Sequence, residues 1–214
     1  MMNIPKRLID IEKNKGVFGF FVTSEKVDIV YAGKEIIQVP KNERSHKIYK
    51  LLEEYCDVIF CTTQVLDDFP FYPVPRFSIF AVDSKDNCFG TIGGPGDIED
   101  DDYPVGYVSR NGMNGKIANS LKEFLELVTF YPYWRKFIMC EQMAVSNNID
   151  AMKIEDNPQC LTRQREIQEI LNLSNNPKSI DLLISNIKSP HDFIVYASKD
   201  EARKVNAFLD VFAD

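Results

Sequence analysis

One predicted loop carries five carboxylates within six consecutive positions. Paired carboxylates can hydrolyse glycosides, and clusters of oxygen ligands can bind Ca²⁺. However, the DxDxDG spacing of an EF-hand loop is absent, and adjacency in sequence does not provide the opposed geometry that glycoside hydrolysis needs. A solvated loop or the rim of a partner-binding surface is therefore favoured, with Ca²⁺ binding as a weaker alternative. The carboxylates belong to Asp97, Glu99, Asp100, Asp101 and Asp102.

Other patterns that carry chemistry are incomplete or missing. His46 and His191 are the only histidines, and neither has a partner at the spacing of metal ligands. The sequence contains no HExxH or GxSxG motif, and the glycines from Gly93 to Gly96 lack the remainder of a phosphate-binding loop. We therefore predict a chain that is not an enzyme and has no cofactor or metal site. A hydrolase assembled from residues remote in sequence is the less favoured alternative.

Three aromatic residues are candidates for anchoring a partner. Tyr103 follows the acidic run, while Tyr133 and Trp134 lie in an elbow next to Pro132. Tyrosine and tryptophan are enriched among the residues that dominate interface energetics. Most of the other aromatic residues are expected in the core. Tyr103, Tyr133 and Trp134 therefore join the five carboxylates as the predicted partner-binding set.

Composition restricts the class of protein and of partner. The 214 residues carry a formal charge of −7, which opposes binding to nucleic acid and favours a basic protein partner. The five cysteines are odd in number and scattered, which indicates reduced thiols. No secretory signal and no run of about 18 apolar residues is present, so we expect a cytoplasmic protein without contact to a membrane.

The order of predicted elements indicates an α+β fold, in which a mixed or antiparallel sheet packs with helices. Strands are predicted at 27–31, 35–39 and 57–62, with a helix before the last of them. A loop with three prolines then precedes a hairpin at 76–94 and a strand at 105–109. A capping-box signature at Ser120 opens a helix that ends near Phe130. Residues 1–132 are predicted to form the core, and residues 133–214 a mostly helical extension with one strand at 193–197, packed on that core.

The stretch from Arg76 to Phe130 resembles the SUKH superfamily, which includes yeast Smi/Knr cell-wall-assembly regulators and bacterial toxin-immunity proteins. The strand FSIFAVD, the glycine-bearing strand FGTIGG, the strand VGYVS and the helix SLKEFLELV carry the resemblance. It implies an α+β fold and a protein that binds and neutralises a toxin such as a nuclease. A housekeeping regulator, scaffold or ligand-binding protein is the alternative that the same resemblance implies.

Overall fold

An antiparallel sheet of five strands forms the centre of the protein, and a two-stranded ribbon accompanies it. The computed structural model describes residues 36–39, 41–62, 69–93, 102–142, 158–189 and 193–206. The strands are β1 (Ile59–Phe60), β2 (Tyr72–Val74), β3 (Phe77–Val82), β4 (Cys88–Ile92), β5 (Val105–Val108), β6 (Asn114–Ala118) and β7 (Ile194–Tyr196). The large sheet has the order β1-β3-β4-β5-β6, and β2 pairs with β7. The predicted α+β class is confirmed.

Among the described residues, six helices accompany the strands. They are α1 (Lys47–Leu51), α2 (Leu121–Phe130), α3 (Trp134–Gln142), α4 (Pro158–Leu171), α5 (Ser179–Ile187) and α6 (Lys199–Asn206). A π-helical turn, Leu52–Cys56, continues α1 and ends at Asp57, whose φ is 54°. None of the described helices is long and apolar enough to cross a membrane.

The three central strands are buried on both of their faces. Every residue of β3, β4 and β5 is buried, so side chains that point in opposite directions are all removed from water. Successive side chains of a strand alternate between the faces of a sheet. Both faces of this sheet therefore need an apolar cover.

Helices α1 to α5 cover the first face. Phe124 of α2 contacts Phe80 and Phe89 of the sheet, with ring centroids 5.7 Å and 5.2 Å apart. Trp134 of α3 and Leu183 of α5 are fully buried in the same cluster. Sheet and C-terminal helices thus share one hydrophobic cluster, while the proposed division at residue 132 stays a prediction.

The ribbon of β2 and β7 packs over the second face, where Phe193 lies 5.2 Å from Phe77 between ring centroids. The segment with three prolines was predicted to be a loop, and this prediction is wrong for Tyr72–Val74, which forms β2. Pro73 is buried and pairs with Val195 in an antiparallel register. Proline is tolerated there because strands of a two-stranded ribbon have an edge that needs no donor.

Local signals located several element ends correctly. The Ser120 side chain accepts a hydrogen bond from the Glu123 amide at 3.2 Å, as the capping box predicts. The Glu123 carboxylate reaches the Asn119 amide instead of the Ser120 amide. Of the predicted first hairpin, only Ile36–Val39 lies within the described residues, where Ile36 forms a parallel bridge with Ile79.

Gly90 in β4 permits the close approach of two strands and an aromatic ring. A Cβ atom at Gly90 would lie 2.6 Å from the Ser78 carbonyl oxygen and 2.7 Å from the Phe77 ring. On the neighbouring strand, a Cβ at Gly106 would lie 3.0 Å from the same ring. The Phe77 side chain therefore occupies space that two glycines leave open.

We predict that Gly90→Ala lowers the free energy of unfolding by about 1–3 kcal/mol, because the new methyl group must displace backbone or ring atoms. Gly115→Ala is the matched control, since nothing lies within 4 Å of a Cβ at that position in β6. Urea denaturation of both variants measures the difference. Equal effects of the two substitutions would contradict the close packing at Gly90.

Candidate functional site

The predicted acidic rim lies on the connection between β4 and β5. Asp97, Glu99, Asp100 and Asp101 fall outside the described residues, and Asp102 is exposed. Both ends of this connection are held to the sheet: the Gly93 amide donates to the Arg76 carbonyl, and the Ile92 amide to the Pro104 carbonyl, each at 2.8 Å. The acidic connection therefore starts and ends at fixed points on neighbouring strands.

Two of the three predicted aromatic anchors are buried, so the expectation that they lie at the surface is wrong. Trp134 is 0% exposed and packs edge-on against Tyr107, and Tyr103 is 3% exposed next to Gly93. Tyr133 is half-buried and contacts Phe137. Both α3 and β5 need large apolar side chains to fill the core, and this need outweighs any use of the rings at the surface.

The aromatic anchors also lie at different places on the sheet. Tyr103 precedes β5, whereas Trp134 packs on Tyr107 near the far end of that strand. Four residues of strand correspond to about 13 Å. The described members of the predicted set thus do not form one surface.

Beside Trp134, Arg135 links three elements in a partly buried polar cluster. Its guanidinium lies 3.5 Å from the buried carboxylate of Asp83 and 3.8 Å from the partly exposed carboxylate of Asp57. The guanidinium also lies 4.6 Å from the centre of the Trp134 ring. Asp83 also accepts hydrogen bonds from the Asn87 amide and side chain. The carboxylate at Asp83 is therefore fully engaged in fixing the turn between β3 and β4, and this cluster is structural.

A cavity of about 910 Å³ lies between the second face of the sheet and the ribbon. Its floor is a cross-strand row, because Val82 pairs with Cys88, Cys88 with Val108 and Val108 with Asn114 in the registers of β3 to β6. Its volume falls within the range of pockets that hold small molecules. We name it the ribbon cavity. Its walls come from the segment before β2 and from β7, and include Phe69, Pro70, Phe71, Val195, Tyr196 and Ala197.

The mouth of the ribbon cavity is polar and is built by two hairpin turns. Arg110 Nη2 and Asp86 Oδ2 lie 3.0 Å apart, and their side chains are 66% and 61% exposed. The backbone under this ion pair is fixed, since the Arg110 amide donates to Asn87 Oδ1 and the Ser109 amide to the Met113 carbonyl. Exposed ion pairs of this kind contribute little to stability, which leaves both charges able to exchange partners.

The thiol on the cavity floor is not poised for nucleophilic attack. Burial, with smaller contributions from the nearby Cys61 and Asp83, raises the pKa of Cys88 to about 12, so the thiol is protonated at neutral pH. The thiolate is the nucleophilic form of cysteine. Burial likewise raises the pKa of Cys61 to about 12. The thiol of the ribbon cavity is therefore not prepared to react with a bound molecule.

His46, the histidine that the structure describes, does not line this cavity. His46 caps α1, where its Nδ1 accepts a hydrogen bond from the Ile48 amide at 3.2 Å. His191 lies outside the described residues. Within the part of the chain that the structure describes, no three His, Cys, Asp or Glu side chains are grouped to hold a metal ion.

The ribbon cavity was not predicted from the sequence. Its floor was visible as alternating apolar residues of predicted strands, but its walls depend on the pairing of β2 with β7. That pairing joins distant segments and leaves no local signal in either of them. Comparison with protein-family models, curated proteins and solved structures found no match to the chain.

We predict that the protein loses stability between about pH 9 and pH 12, partly through Cys88. The thiol has its ordinary pKa of 9.0 in the unfolded chain and a pKa of about 12 in the folded protein. Its contribution to the free energy of unfolding is therefore complete below pH 9 and is lost as the pH rises toward 12. Cys88→Ala should reduce the slope of unfolding free energy against pH by up to about 1.4 kcal/mol per unit. Urea denaturation under reducing conditions measures this slope, and the value at neutral pH reports the packing cost separately. An unchanged slope would contradict the raised pKa.

Proposed function

We propose that this chain is a non-catalytic, cytoplasmic protein of the immunity type, which binds and neutralises a basic toxin such as a nuclease. The SUKH-like order of strands and helix between Arg76 and Phe130 supports the proposal, and so does the α+β architecture. The state of the cavity thiol argues for binding over chemistry, because Cys88 is protonated at neutral pH.

The observation that carries the proposal is the anchored acidic connection between β4 and β5. Five carboxylates belong to a segment whose ends, Gly93 and Pro104, are hydrogen-bonded to the sheet. Anchored ends limit the conformational entropy that a connection loses on binding. The overall charge of −7 has the same sign as this segment and would steer a basic partner toward it.

Affinity capture tests the proposal directly. Purified protein is immobilised and exposed to lysate and secreted proteins of the source organism and related strains, and retained proteins are identified by mass spectrometry. The proposal predicts a basic toxin recovered in equimolar amount, whose activity falls to zero when the chain reaches a one-to-one ratio. Recovery of housekeeping or cell-wall proteins alone would favour the scaffold alternative and contradict the immunity role.

The captured toxin then allows the acidic surface to be tested. The triple variant D100N/D101N/D102N should associate roughly tenfold more slowly and with a weaker dependence on salt, because steering charge is removed. The control E53Q/E169Q/D181N removes the same number of negative charges from exposed helix positions. If both triple variants slow association equally, the effect comes from the overall charge alone, and the acidic connection is removed from the proposal.

A further inference from the structure

The ribbon cavity combines an apolar floor with a mouth that is rich in hydrogen-bond donors. Val82, Cys88 and Val108 form a continuous apolar row across three strands. Apolar cavities with a few convergent polar groups are the usual form of small-molecule sites. The body of a ligand in this cavity would therefore be apolar.

The polar groups at the mouth favour an acceptor as the head of that ligand. Arg110 can only donate hydrogen bonds and Asp86 can only accept them, whereas Ser109, Asn114 and Tyr196 can do either. Ser109 Oγ accepts from the Asn111 amide, which leaves the hydroxyl hydrogen to donate. Arg110 carries five N–H donors and the three neutral side chains can also donate, so these residues can satisfy an anionic or carbonyl head group.

The charge at the mouth favours a monoanion. Arg110 is the one cation among the described residues that line the cavity, and its Nη2 lies 3.0 Å from Asp86 Oδ2. A guanidinium has five N–H donors in a planar fork that matches a carboxylate, so Arg110 can contact a ligand while keeping this ion pair. A phosphate dianion would bring a second negative charge close to Asp86, and the lining supplies no second cation to offset it.

We propose that the ribbon cavity binds a small amphipathic carboxylate, with its apolar chain on the row Val82–Cys88–Val108 and its carboxylate at Arg110. In this arrangement the ion pair with Asp86 holds the Arg110 guanidinium at the mouth of the cavity. This site goes beyond toxin binding and does not depend on it, because no protein partner takes part in either its construction or its test.

Binding is measured with 11-(dansylamino)undecanoic acid, whose fluorescence rises on transfer from water to an apolar site. Titration should saturate at one molecule per chain. Decanoate, kept below its micelle concentration, should displace the probe, whereas decanol and decylamine should displace it at least tenfold less effectively, because a charge-assisted hydrogen bond is lost. Failure to saturate, or equal displacement by all three competitors, would overturn the proposal.

Two variants locate the site. Arg110→Gln should raise the Kd of the probe roughly tenfold through loss of the charged contact. Arg163→Gln is the matched control, since Arg163 forms a comparable exposed ion pair, 3.4 Å from Glu54, outside the cavity. Ala197 is an exposed residue in the cavity wall, and Ala197→Trp places a large side chain there that should abolish saturable binding. Thermal unfolding checks that this variant keeps its fold. Equal Kd values for the two arginine variants, or wild-type binding by a folded A197W, would place the probe elsewhere and refute the site.

Discussion

The burial of both faces of the central sheet is the constraint on which the rest of the structure depends. Because β3, β4 and β5 have no face directed to water, the chain must supply two separate apolar covers. Burial of apolar surface is the dominant favourable term in folding, and a sheet covered on one side alone would leave the apolar side chains of its other face in water. Helices on the first face and a ribbon on the second meet this requirement. On the second face, Gly90 of β4 and Gly106 of β5 leave room for the Phe77 ring to lie against both strands.

The same constraint explains why the candidate cavity lies where it does. A two-stranded ribbon is too narrow to cover a five-stranded sheet evenly, and Phe77 and Phe193 join the two layers at one end. Toward the hairpin turns the layers separate over the row that runs from Val82 to Asn114, and the space between them is the ribbon cavity. The acidic connection leaves the sheet at the opposite end of β4 and β5, beyond Gly93. The ends of the acidic connection and the mouth of the ribbon cavity are therefore at opposite ends of the same strands.

Local patterns predicted the parts of the fold that local interactions determine. The hairpin of β3 and β4 and the start of α2 at Ser120 follow from alternation, turn residues and a capping box, all within short windows. Two features escaped prediction because they depend on distant segments. The ribbon needs Tyr72 to pair with Tyr196, and nothing in either segment specifies the other. Tryptophan is a residue type of both interface anchors and hydrophobic cores, and only the packing of α3 on Tyr107 decides between these two roles for Trp134.

Amide hydrogen exchange in a Phe193→Ala variant tests the two-cover architecture most directly. Loss of the Phe193 ring removes its contact with Phe77, where the ring centroids are 5.2 Å apart, and leaves the first face intact. The amides of Tyr72, Val74 and Ile194–Tyr196 should therefore exchange faster, whereas those of α2 keep their protection. Exchange that is unchanged in the ribbon would contradict the claim that the ribbon is held as a separate cover on the second face. A uniform acceleration throughout the chain would contradict the separation of the two covers.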